Sequence, residues 1–176
     1  MRHCLFPALL AVPLAILWAA PSSAGQGHAA HVHGIAKLEV AVEAGRISLH
    51  LESPLEALTG FEHAPRNDQE RAVVLAMRKS LAQGDRLFTP TPAARCTLVS
   101  ARLEAPALDA PPGKGGGHGD LDADFQFRCA QPALLTGLEV RLSATFPRMR
   151  RIDAQVVTAK GQFARRLEAD KRLLSW

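Results

Sequence analysis

Along residues 36–42, AKLEVAV, apolar side chains hold the even positions Ala36, Leu38, Val40 and Val42, with Lys37 and Glu39 between them. Along residues 46–52, RISLHLE, the apolar positions are Ile47, Leu49 and Leu51, alternating with Arg46, Ser48, His50 and Glu52. A period of two predicts strands with one buried face. Ala44-Gly45 between the two runs suits a two-residue hairpin turn. That turn opposes Val42 to Ile47, Val40 to Leu49 and Leu38 to Leu51 on the core side. On the wet side it opposes Lys37 to Glu52 and Glu39 to His50. Each opposed pair is chemically compatible, which supports the register.

The period then changes. In SPLEALTGF, Ser53 is placed to cap and Pro54 to open a short helical turn. GFEHAPR, residues 60–66, reads as a loop by its Gly and Pro. The main helix is NDQERAVVLAMRKSLAQG, with Asn67 as cap, Glu70 completing a capping box, and Gly84 as the stop. Its apolar stripe, Val74, Met77 and Leu81 with Val73 beside it, predicts a core-facing side.

Two further strands follow, CTLVSARLE and LDADFQFRC, each carrying one cysteine. Cys129 shares parity with Phe125 and Phe127 and points inward. Cys96 is out of phase with Val99, Ala101 and Leu103, so a bulge, or a cysteine just outside the ladder, is required. Between these strands, near residues 105–120, APALDAPPGKGGGHGD reads as a flexible low-complexity loop. The C-terminal part reads as three strands, GLEVRLSATF, IDAQVVTA and QFARRLE, the last two joined at Lys160-Gly161. The sum is an α+β fold: a mostly antiparallel β-sheet with one main helix and a structural disulfide.

The N-terminus supplies the compartment. Arg2 precedes an apolar run from Leu5 to Ala20 that closes on Ser22-Ser23-Ala24, a small-x-small pattern. Residues 1–24 therefore read as a secretory signal peptide, and residues 25–176 as one exported domain. Pro7 and Pro13 break the apolar run, which is short for a membrane span, and no second run could insert after cleavage. In an oxidising compartment the two remaining cysteines, Cys96 and Cys129, are most simply a disulfide, since a Cys-x-x-Cys spacing is absent. The formal net charge of +4 is mild and its basic residues are scattered. Only RMRR, Arg148 to Arg151, is clustered, and it reads as a solvated turn between strands. Nucleic acid is not an expected partner.

Histidine is the chemistry that stands out. His31 and His33 are two apart, so an extended chain projects both rings from one face, with Cα atoms ~7 Å apart. If the first strand runs back through them, they lie on the polar face with Lys37 and Glu39. A frayed terminus with exposed histidines is the competing reading. A zinc site needs about three protein ligands. His63, with Glu62 beside it, lies in the loop that emerges at the same end of the hairpin, and Glu52 faces water there too. His50 is one pair further in, where it could partner Glu39 or ligate. His28 is flanked by small residues and either joins these donors or does nothing. His118 stands before Asp120, Asp122 and Asp124 and could bind a metal weakly, or belong to a solvated loop. The EF-hand pattern is not met there, because the sixth-position Gly and terminal Glu are missing. Imidazole and carboxylate donors suit Zn2+, and the two committed cysteines argue against a Cu(I) site. No serine-hydrolase elbow, His-Glu-x-x-His helix or phosphate loop is present. Glu62 alone could serve as base in a zinc hydrolase, and the chain is read as no enzyme. A structural or interaction module with incidental histidines is the alternative function.

AHVHGIAKLEV, LESPLEALTGFEHAPR, LFTPTPAARCTL, DADFQFRC and TFPRMRRIDAQVVTAKGQ resemble, in order, the landmarks of the ZrgA-like zinc-regulated periplasmic zinc-binding proteins. The likeness spans nearly all of residues 25–176. It implies an exported bacterial protein, made under zinc limitation, that binds zinc and assists its uptake near an ABC importer or that importer's binding protein. The motif histidines it carries over are His31, His33 and His63. One departure is plain: the long His/Asp/Glu-rich tract common in relatives is reduced here to PPGKGGGHGD. That departure bears on high-capacity buffering and not on a single ordered site.

Overall fold

The computed structural model describes residues 32–111 and 119–176. Strands β1 (Ile35–Glu43) and β2 (Arg46–Pro54) form the expected hairpin. Ala44 and Gly45 both take positive φ, 42° and 81°, as a tight turn matched to strand twist requires. The register is the one the side-chain pairs demand, with Leu38 opposite Leu51, Lys37 opposite Glu52 and Glu39 opposite His50.

On the far side of β2 lies β5 (Asp120–Cys129), and beyond it β4 (Cys96–Glu104). On the other side of β1 lies β7 (Arg151–Thr158), followed by β8 (Gly161–Leu167). The six-stranded sheet runs β4-β5-β2-β1-β7-β8. Only the β1–β7 pair within it is parallel. Cys96 faces Cys129 across β4 and β5, and the two form a disulfide. The required bulge is present: the register slips between Leu98 and Ser100. Val99 is turned out, 57 % exposed, so that Leu98 and Ala101 can both pack inward.

One face of the sheet is apolar. Leu38, Leu49, Leu51, Phe125, Ile152 and Val156 are buried on it, each worth ~1.5–3 kcal/mol of burial. Helix α1 (Leu55–Thr59) follows β2, and α2 (Asp68–Ala82) brings Val74, Met77 and Leu81 into the same core. A second, three-stranded sheet also packs there. It is built from β3 (Phe88–Pro90), β6 (Gly137–Val140) and β9 (Leu173–Ser175), in the order β3-β6-β9. Phe88 of this sheet packs against Phe125 of the large one, ring centroids 4.9 Å apart.

Several local expectations are corrected. GLEVRLSATF is not one strand, since β6 stops at Val140 and α5 (Leu142–Thr145) follows. The short strands β3 and β9 were not expected, being three residues each and too brief to show a period. Ser53 is the buried penultimate residue of β2 and its hydroxyl bonds the Pro54 carbonyl, so it does not cap α1. Asn67 does cap α2, its Oδ1 accepting from the Glu70 N–H at 2.8 Å, and Glu70 reaches back to the Arg66 N–H, one residue before the cap. Gly84 does not stop α2, which ends at Ala82 with Gln83 as its C-cap. It opens the short α3 (Gly84–Leu87), and a Cβ there would lie 2.6 Å from Phe125 Cδ1. Close approach to the core, not helix termination, explains that glycine.

Within the segment expected to be a flexible loop, Pro106–Asp109 forms a short helix, α4, with Leu108 buried. Residues 112–118 and the expected signal peptide lie outside the described residues. Among those described, no helix is long and apolar enough to cross a membrane.

Candidate metal centre

Strand polarity brings the ends of four strands to one rim. β1 and β2 are antiparallel, so the start of β1 lies beside the end of β2. β5 is antiparallel to β2, with Asp120 opposite Pro54. β7 is parallel to β1, with Arg151 opposite Ile35. The segments before β1, after β2, before β5 and before β7 therefore meet, and they carry His33, Glu62 and His63, Gly119, and Arg148 to Arg150.

The first strand does not run back through the histidines. It begins at Ile35, and a turn over His33-Gly34 precedes it, closed by the Ile35 N–H on the Val32 carbonyl at 3.0 Å. Gly34 has φ 75° and leaves the β region. Strand alternation therefore does not set the direction of the His33 ring, and His31 lies outside the described residues. His33 Nε2 stands 3.5 Å from Glu62 Oε1, with the histidine side chain 57 % exposed and the glutamate 17 %.

Glu62 and His63 hang from α1. That helix ends on Gly60 at φ 91°, a left-handed cap whose N–H bonds the Glu56 carbonyl. The Thr59 hydroxyl and the Phe61 backbone then tie the loop locally. His63 stacks on Phe61 with ring centroids 5.0 Å apart. Its Nδ1 lies 2.9 Å from the Ala64 carbonyl, which can only accept. Nδ1 therefore carries the hydrogen, and in the neutral ring the lone pair is on Nε2. A metal-binding histidine is commonly held in this way, by donation of its other N–H to a carbonyl. Glu70 of α2 approaches the same Nδ1 at 3.9 Å. The sequence marked Glu70 only as part of a capping box.

The remaining expected donors divide. Glu52 Oε1 accepts from Lys37 Nζ at 2.9 Å, the cross-strand partner the register assigns it. His50 lies opposite Glu39 as expected, but its side-chain hydrogen bond goes to the other neighbouring strand. Its Nδ1 donates to Asp124 Oδ1 at 2.9 Å, and its Nε2 lies 3.8 Å from Asp122 Oδ1. The Asp124 hydrogen bond holds the His50 pKa above its ordinary value, against partial burial, with the charges of Asp124, Asp122 and Glu39 adding to it. His118 lies outside the described residues, but its neighbour Gly119 is packed tightly, and a Cβ there would lie 2.9 Å from the Glu62 carbonyl. Gly119 also accepts a hydrogen bond from the Leu55 N–H. Among the described residues no three His, Cys, Asp or Glu side chains are gathered closely enough to hold a metal ion. What they contribute is a pair, His33 with Glu62, and a second imidazole, His63, next in the chain after Glu62.

No curated protein matches the chain. The family described as "ZrgA family zinc uptake protein" matches residues 30–176, a span that takes in both sheets, the disulfide and the His33–His63 rim. The chain belongs to the ZrgA family of zinc uptake proteins.

Proposed function

We propose that this chain is an exported, periplasmic zinc-binding protein that captures zinc when the ion is scarce. It passes zinc towards an importer of the ABC class or that importer's binding protein. Zinc is cargo here, and no catalytic step is assigned to the protein.

The observation that carries the reading is the His33–Glu62 pair. Donors that bind zinc at ~2.0–2.1 Å on tetrahedral corners stand ~3.3–3.4 Å from each other. The 3.5 Å between His33 Nε2 and Glu62 Oε1 suits such an edge better than it suits a hydrogen bond. The tautomer of His63 adds a lone pair on Nε2 in the adjoining residue. His31, two residues before His33, and His118, bonded to the tightly packed Gly119, are the proposed further donors. Glu52, already held by Lys37, is assigned to the surroundings of the site and not to the ion. Because ligation requires neutral imidazole, zinc affinity falls on acidification.

Titration calorimetry of the purified chain with zinc tests the proposal. One zinc per chain is expected, lost or greatly weakened in His33→Ala/His63→Ala. Unchanged affinity in that double variant would remove these ligands. Thermal melts separate this reading from a structural module. Zinc at ~100 times its Kd stabilises the folded state by ~2.7 kcal/mol, raising Tm by ~5–10 °C for a domain of this size. A structural module with incidental histidines melts at the same temperature with zinc or with chelator.

A further inference from the structure

The proposed donors hang off the ends of elements. His33 precedes the first residue of β1 by two, and Glu62 follows the last residue of α1 by three. Neither strand pairing nor helical hydrogen bonds reach them, so something else holds them in relation to each other.

The segment 147–150, which opens with a turn, touches both. Met149, 1 % exposed, anchors it in the core, while Arg148 and Arg150 flank it at the surface. On one side the Arg150 and Arg151 N–H groups both donate to the Gly34 carbonyl, at 2.9 and 3.1 Å. The Arg150 guanidinium donates through Nη2 to the carbonyl of His33 itself, at 3.0 Å. The fit is close, since a Cβ on Gly34 would lie 2.8 Å from both the Arg148 carbonyl and Arg150 Nε. On the other side a Cβ on Gly60, two residues before Glu62, would lie 3.2 Å from Arg148 Nε. Arg148 Nη1 also faces Glu56 of α1 at 3.6 Å. The parallel β1–β7 pairing makes this meeting compulsory, because it starts both strands at the same rim.

We infer that Arg150 is a positioning residue for zinc capture, fixing the His33 peptide through its carbonyl so that the imidazole is presented to Glu62; this rests on the zinc site proposed above. Charge alone predicts the reverse of a useful arginine. A guanidinium beside a dication repels it, so removing Arg150 would tighten zinc binding if charge were its whole effect. Removing a hydrogen bond that orients a ligand typically weakens metal binding by ~10–100-fold. The two effects differ in sign, which makes the inference decidable.

The test is zinc calorimetry on the wild-type chain, Arg150→Ala, Arg150→Lys and His33→Ala, each at low and high salt, with metal-free melts alongside. Arg150 is exposed, so a metal-free Tm close to wild type is expected for Arg150→Ala. Its zinc affinity is expected to fall by ~10-fold or more. The loss should persist at high salt, where a pure charge effect is screened away. Arg150→Lys keeps the charge but loses the planar fork, and it should fall between the two. Arg150→Ala binding zinc as tightly as wild type, or more tightly, overturns the inference. Should Arg150→Ala not fold, Arg150→Lys decides, being weaker than wild type if the inference holds and equal to it if not. A wild-type chain that binds no zinc, or a His33→Ala chain that binds it unchanged, instead overturns the site on which the inference stands.

Discussion

His33 Nε2 and Glu62 Oε1 stand 3.5 Å apart, joining the turn before β1 to the loop after α1 across 29 residues of sequence. The glutamate side chain is 17 % exposed and the histidine 57 %, so in the proposed site the ring is the outer donor and the carboxylate the inner one. Glu62→Gln keeps the shape and removes the charge. Its zinc affinity is expected to fall at least ~10-fold, with little change in metal-free Tm. Equal zinc isotherms for the two proteins would take Glu62 out of the site.

The disulfide joins the first residue of the edge strand β4 to the last of β5, closing a loop with a sequence separation of 33. In the chain-entropy model a loop of this length is worth ~3–4 kcal/mol. Cys96→Ala/Cys129→Ala should lose about that much stability in denaturant titrations. Zinc binding should survive below the lowered melting point, because both cysteines lie at the opposite end of β5 from Gly119. A reduced chain as stable as the oxidised one would contradict this.

His50 and Asp124 form a cross-strand hydrogen bond on the open face of the large sheet. The folded His50 pKa is raised, mainly by that bond. Its stabilising contribution is therefore fully present below the unfolded value, ~6.5, and is lost as pH rises through the folded value. Solvent screening keeps it to ~0.5 kcal/mol or less for so exposed a pair. Asp124→Asn should accordingly cost more Tm at about pH 5.5 than at about pH 8.5. A larger cost on the alkaline side would show that Asp124 acts through another group.

Gly84 distinguishes helix propensity from packing. If it were an ordinary helical glycine, Gly84→Ala would stabilise by ~0.4–1 kcal/mol. With Phe125 Cδ1 2.6 Å from the position a Cβ would take, the core must shift instead. A destabilisation of ~1–3 kcal/mol is expected from overpacking. A raised Tm for Gly84→Ala would mean that Phe125 has room to yield.

Much of this architecture follows from short-range order. The hairpin register and the buried stripe of α2 were legible, because periods of two and 3.6 are written into adjacent residues, and so was the need for an irregularity near Cys96, but its place was not: Val99, grouped in the sequence with Ala101 and Leu103, is the residue turned out. The end of the hairpin at which His33 and Glu62 emerge was legible too, since an antiparallel pair with a known turn leaves no choice of end. The direction of the His33 ring was not. Gly34 breaks the strand, and its positive φ is held by hydrogen bonds from residues more than a hundred positions away. The role of RMRR was hidden for the same reason, as four residues that read as a wet turn contain a buried methionine and two arginines packed on the rim.

By itself, then, the chain's alternation of apolar and polar residues determined the longer strands and the face that the first hairpin buries, and the exported setting read from the N-terminus pointed to the Cys96–Cys129 bridge, while the three-residue strands and the break after Val140 were not written in it. Only the tertiary structure decided that β7 lies parallel to β1, and with it which residues gather at the rim. The physical reason is that a strand's own pattern specifies a buried face but not a neighbour. The choice of neighbour is made by the packing of the whole core, and here it sets the arginine turn against the histidine turn.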